Sequence, residues 1–184
     1  NFFSEVCNMS LTSILGNASL ITKVYIPKYI YPLTRTVSSL INFGISLIPV
    51  ILVCILTGVP FRASALLSFY FILCMCIFCF GLGLMLSAAM VFFRDTQFLW
   101  GVVSLAWMYA TPIFYPESIL GKDFAFILVI NPMYYFIKSI RACLITGISP
   151  EPLVYIECAG IALVTLLLGG LIFRKSQNKF VLYL

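Results

Sequence analysis

The stretch ASALLSFYFILCMCIFCFGLGLMLSAAMVFF, residues 63–93, decides the fold: it holds 31 residues without a charge. About 20 apolar residues suffice for a helix to cross the hydrocarbon of a bilayer. This run therefore reads as a tilted or overlong transmembrane helix. Within it, Gly83 and Ser87 form a small-xxx-small pattern that lets two helices approach closely. The spacing Cys74-x-Cys76-x-x-Cys79 invites a metal reading, but only Cys76 and Cys79 share a helical face and the chain has no His. Free cysteine packs as a small hydrophobe, which is the reading adopted here, with no metal and no catalytic residue.

The rest of the chain agrees. Of 184 residues, 62% are hydrophobic and 9% charged, and the mean hydropathy is +1.12. Soluble domains carry about 25% charged residues. So few charges cannot cover a water-exposed surface, and the class is all-α integral membrane. The seven cysteines lack the spacing of a disulfide framework. The opening NFFSEVCNMS has neither a basic n-region nor an initial Met, and reads as a chain joined partway through a longer protein.

Three further runs are long enough to cross: Val37–Thr57, Thr96–Pro116 and Leu153–Phe173, the last interrupted by Glu157 near one end. Val6–Thr22 is uncharged but dotted with Asn8, Ser10, Thr12, Ser13 and Asn17, and reads as the tail of an earlier span. Phe124–Ile137, 14 uncharged residues containing Asn131-Pro132, is too short to cross and reads as re-entrant or interfacial. The expected fold is a polytopic helical bundle: four complete spans, the end of a fifth, and short gate helices on the outer face.

Four crossings place residues 17–33 and the C-terminus on one side. Seven basic residues fall there, Lys23, Lys28, Arg35, Arg94, Arg174, Lys175 and Lys179, against four on the other side. By the positive-inside rule, that side is cytoplasmic. Glu5 and Asp95 are assigned to it, which leaves no carboxylate deep in a span.

Residues 17–33, NASLITKVYIPKYIYPL, form a basic, aromatic elbow between apolar runs. Leu20, Ile21 and Val24 share a helical face, so a short amphipathic helix along the membrane surface is expected. Pro27 and Pro32 bias Ile26 and Tyr31 away from helix, giving short pieces joined by fixed bends. Lysines and tyrosines here suit a lipid-anchoring connector, and a rigid elbow equally suits a lever for a soluble motor. Both readings stand at this point.

In Thr96–Pro116, Trp100, Ser104, Trp107, Thr111 and Phe114 recur along one helical stripe. Trp107 lies mid-span, where its indole N–H needs a partner. The stripe either packs on neighbouring helices or lines a path suited to sugar rings. Pro112 and Pro116 bracket a kink, with Tyr115 at the interface. Asn131 is a good N-cap and Pro132 suits the first helical position. The helix that starts there carries Met133, Phe136, Ile137, Ile140 and Leu144 on its apolar face, and Gly147 is a plausible stop. Arg94-Asp95 either pairs locally or holds the following loop in register.

Four ordered motifs carry a resemblance over essentially the whole chain: NASLITKVYIPKYIYPL (17–33), VFFRDT (91–96), TPIFYP (111–116) and NPMYYFIKSIR (131–141). Together they resemble the membrane subunit of type-2 ABC exporters for polysaccharides: O-antigen, teichoic acid and capsule permeases. The resemblance implies that residues 1–184 are one ABC-2 type transmembrane domain, N-terminally incomplete, lacking its first span and interface helix. It implies a bacterial cytoplasmic (inner) membrane protein that works as a homodimer with two ABC ATPase subunits and moves a lipid-linked glycan. ATP and Mg would sit on those subunits, in keeping with the absence of a G-x-x-x-x-G-K-[ST] loop here.

The same resemblance implies a coupling role for Asn17, Leu20, Lys23, Tyr25, Pro27, Lys28 and Pro32. It implies a substrate path along Trp100, Ser104, Trp107, Thr111 and Phe114. The region 117–147 becomes an outer gate, involving Pro112, Tyr115, Pro116, Asn131, Pro132, Tyr134 and Tyr135, while Arg94 and Asp95 mark a cytoplasmic loop. No nucleic-acid partner is expected. Two other classes stay open: an ABC-2 permease for a drug, haem or lipid, and a non-transporting membrane anchor or assembly subunit. An intramembrane enzyme needs a base or a metal site, which this sequence does not offer.

Overall fold

A computed structural model describes residues 1–24, 26–57, 64–112, 125–147 and 149–183, and every element among them is helical. The long helices are α1 (Phe2–Ser13), α3 (Ile30–Leu56), α4 (Ser64–Phe92), α5 (Thr96–Ala110) and α8 (Pro152–Ser176). The short ones are α2 (Ala18–Lys23), α6 (Ala125–Ile130), α7 (Pro132–Arg141) and α9 (Phe180–Tyr183).

Helix α4 is the centre: α8, α1, α3 and α7 all pack on it. Because it is enclosed from several sides, it is apolar all round. Phe71, Cys74, Met75, Cys76, Phe78 and Cys79 are buried in its core, so the cysteine cluster is part of the packing. Helices α4 and α8 touch through glycine. A Cβ on Gly81 would lie 2.7 Å from the backbone of Leu166, and one on Gly169 would collide with the Gly81 carbonyl. The small-xxx-small position Gly83 serves α1 instead, since its Cβ would meet Ser10 Oγ at 2.7 Å.

Helix α3 faces outward along most of its length. Ile41, Ile45, Ile48 and Ile55 are at least 60% exposed, as hydrocarbon-facing residues must be. With 27 residues it is about 40 Å long, more than the roughly 30 Å hydrocarbon layer.

Among the described residues, three helices are long and apolar enough to cross: Ile30–Leu56, Leu66–Phe92 and Pro152–Lys179. Of the remaining expected crossing, Thr96–Pro116, α5 accounts for 15 residues and ends where Thr111 turns extended (φ −98°, ψ 121°), and 113–116 lie outside the described residues. The run 124–137 is divided into α6 and α7 at Asn131, short as expected.

One local expectation is overturned. Pro32 makes no bend: Tyr31 and Pro32 belong to the first turn of α3, which starts at Ile30. A proline is tolerated there because first-turn N–H groups lack an intrahelical acceptor anyway. The bend is confined to Pro27, after Val24 turns extended (φ −128°, ψ 134°).

Candidate functional site

Two constellations stand apart, one at the C-terminal ends of α4 and α8 and one between α5 and α7. The first is the elbow. Asn17 caps nothing with its side chain; its Nδ2 donates to the Ser13 carbonyl at 2.8 Å and closes the end of α1. On α2 only Ile21 is buried, while Leu20, Lys23 and Val24 are exposed, so the helix presents Leu20 and Lys23 outward. Lys28 behaves differently. Its Nζ donates to the Gln177 carbonyl at 2.6 Å and lies 5.9 Å from the Phe180 ring centroid. A cation at the last carbonyls of a helix is favourable.

Phe180 in turn packs edge-on against Phe173 at 5.3 Å, and Phe92 contacts both Phe180 and Tyr183. The elbow is thus tied through Lys28 to the tail of α8 and the end of α4. A cavity of about 480 Å³ lies between them, lined by Pro27, Tyr29, Leu84, Phe173, Arg174 and Gln177. Tyr25 lies outside the described residues. Arg94 and Asp95 are exposed at the start of α5, where the Asp95 carbonyl accepts from the Phe98 and Leu99 N–H groups.

The second constellation joins α5 to α7. Asn131 is buried and uses its whole amide: Oδ1 accepts from Trp107 Nε1 at 2.8 Å and from the Met133 N–H at 3.1 Å. Its Nδ2 donates to Thr111 Oγ1 at 2.7 Å and to the Ala110 carbonyl at 3.5 Å. Thr111 Oγ1 in turn donates to the Trp107 carbonyl at 2.9 Å. The N-cap read from the sequence is therefore also the partner that the Trp107 indole needs. Pro132 takes the first helical position of α7.

Helix α7 buries Met133, Phe136 and Ser139, while Ile137 and Ile140 are only partly covered. It runs into a π-helical turn, Ala142–Thr146, and stops at Gly147 with φ 66°. Cys143 in that turn is buried, which pushes its thiol pKa up and leaves it a packing group. Tyr134 and Tyr135 contact each other at 5.6 Å, and Lys138 Nζ donates to the Tyr134 hydroxyl at 2.7 Å.

The aromatic stripe splits. Trp100 is buried against Phe3 of α1 (ring centroids 6.1 Å apart), and its indole N–H has no acceptor among the described residues. Trp107 is half-buried, 5.2 Å from Phe3 and 6.4 Å from Trp100. Ser104 donates back to Gly101 O at 3.1 Å. Phe114, Tyr115 and Pro116, with 117–124 of the gate region, lie outside the described residues.

Glu5 requires a correction. It is not in a loop on the elbow side: it lies inside α1, and its Oε1 accepts from Asn42 Nδ2 at 2.8 Å. Asn42 is seven residues beyond Arg35 along α3, about 10 Å toward the middle of the span. Glu5 thus sits in a helix packed beside the apolar run of α3, not in a connecting loop. The signal was the helical spacing of Glu5, Asn8 and Thr12 in the opening run.

Comparison with known proteins follows the same lines. The family described as ABC-2 type transporter matches residues 1–145. O-antigen export system permease proteins RfbA of Klebsiella pneumoniae and of Myxococcus xanthus are each 28% identical to the chain. The alignments cover 97% of this chain and 69% and 70% of those proteins. With the family matched over well more than half its length, the chain belongs to the ABC-2 type transporters, as a membrane permease.

Proposed function

We propose that this chain is the permease half of an ATP-driven exporter that carries a lipid-linked polysaccharide across the bacterial cytoplasmic membrane. The observation that carries this reading is the likeness to O-antigen export permeases over nearly the whole chain, elbow and Asn131 hub included. Two copies of the permease would join two ATPase subunits holding ATP and Mg. The elbow and C-terminus would face the cytoplasm, with α5 and the residues after it completing a fourth crossing.

In this reading ATP binding moves the elbow. The exposed Leu20 and Lys23 form the contact with the ATPase, and Asn17 and Pro27 fix the angle. Lys28 passes the motion to α8 through Gln177 and Phe180. Pro32 anchors the start of α3. At the far end, Asn131 sets how α7 stands on α5, so the Trp107–Thr111–Asn131 contacts would hold the outer gate together with Pro112, Pro132, Tyr134 and Tyr135. Trp107 borders the sugar path on its uncovered edge.

Deleting the gene tests this. Surface polysaccharide should disappear while its lipid-linked form accumulates inside, and the wild-type gene should restore export. Unchanged surface polymer with altered drug or haem handling would assign the chain to another ABC-2 substrate.

A further inference from the structure

Helix α1 has one face, polar apart from Met9, that the described residues leave largely uncovered. Asn1, Ser4, Glu5, Asn8 and Thr12 follow one another at helical spacing, and all are exposed or half-exposed. Helix α3 continues it. Ser38, Asn42 and Ser46 repeat every four residues and are exposed, with Ser46 Oγ donating to the Asn42 carbonyl at 2.9 Å. The Glu5–Asn42 hydrogen bond joins the two rows into one facet.

The neighbouring arc of α3 is the opposite in chemistry: Ile41, Ile45, Ile48, Leu52 and Ile55 are exposed and apolar. One helix therefore addresses two media. Hydrocarbon suits the isoleucine arc. It does not suit a carboxylate, three carboxamides and several hydroxyls, because ionisable and amide groups inside a membrane face a water-filled cavity or a polar partner.

We infer that the Glu5–Asn42 facet of α1 and α3 lines the hydrated path, and that its carboxylate, amide and hydroxyl groups hydrogen-bond the hydroxyls of a passing carbohydrate chain. The donor and acceptor mix is complementary to a polyol: Glu5 accepts, the serines and Thr12 do both, and Asn8 and Asn42 offer both ends of an amide. An aromatic stripe grips sugar faces, whereas this facet addresses their rims. The inference deepens the export reading and rests on it for the identity of the occupant. Water access to the facet is independent of that identity.

Single cysteines at Asn8, Ser38, Ser46, Ile45 and Leu52 test it in the complete transporter in cells, with the parent protein as background. Methanethiosulfonate ethylsulfonate, a small anionic thiol reagent, is applied to inside-out vesicles and to intact cells. Cysteines at 8, 38 and 46 should react at least tenfold faster than those at 45 and 52. Blocking the supply of lipid-linked glycan should speed them further.

Equal rates on the two arcs would overturn the path while leaving wild-type export, and so the export reading, intact. Fast labelling unaffected by glycan supply would overturn the carbohydrate contact alone. In parallel, Glu5→Leu should cut surface polymer at least tenfold at normal membrane abundance, and Glu5→Gln, which keeps an acceptor for Asn42, should retain most of it. Full export by Glu5→Leu contradicts the assignment.

Discussion

The indole N–H of Trp107 meets Oδ1 of Asn131 at 2.8 Å, so the last turn of α5 and the N-terminus of α7 share one buried amide. That amide also binds Thr111 and its own helix N-terminus, so removing it orphans several groups at once. Loss of a buried partner costs about 1–3 kcal/mol. Asn131→Ala should lower the melting temperature of the detergent-purified protein by several degrees. Trp107→Phe should have little further effect in that background. Additive losses in the double mutant would show that the two side chains do not act together.

The two elbow lysines should separate. Lys23 is exposed, whereas Lys28 is bonded to Gln177 O at 2.6 Å. Lys23→Glu should lower stimulation of the ATPase partner several-fold at unchanged melting temperature. Lys28→Ala should reduce both, because the tie to the tail goes with it. A Lys28→Ala protein with wild-type stability and stimulation would remove the elbow–tail link from the mechanism.

Glycine substitutions on α8 should differ sharply. Gly169 has the Gly81 carbonyl against it, while Gly160 and Gly170 have open space around a Cβ. Gly169→Ala should force α4 and α8 apart, costing about 1–3 kcal/mol or more, and should lower the yield of folded protein. Gly160→Ala and Gly170→Ala should be neutral in size-exclusion profile and melting temperature. A well-behaved Gly169→Ala would mean that the two helices do not meet as closely as described.

Much of this was legible in the sequence where the signal is local. Asn131-Pro132 announced a helix start and Gly147 a stop, because capping chemistry depends on a few adjacent residues. The apolar runs announced α3, α4 and α8 by length alone. Pro32 misled because a proline's effect depends on where the helix begins, and Ile30 starts α3 two residues earlier. Glu5 misled for a different reason: its depth follows from the register of α1 on α3, and only the pairing with Asn42 fixes that. Trp107 announced a need for a partner, but the partner lay 24 residues away on another helix.

Transport in proteoliposomes reads export by this permease itself. The permease is reconstituted with its ATPase partner and a fluorescent lipid-linked glycan on the ATP-accessible face. ATP-dependent movement of the glycan to the opposite face is expected, abolished when the ATPase cannot hydrolyse ATP. Glycan that stays in place although the reconstituted complex hydrolyses ATP would contradict it.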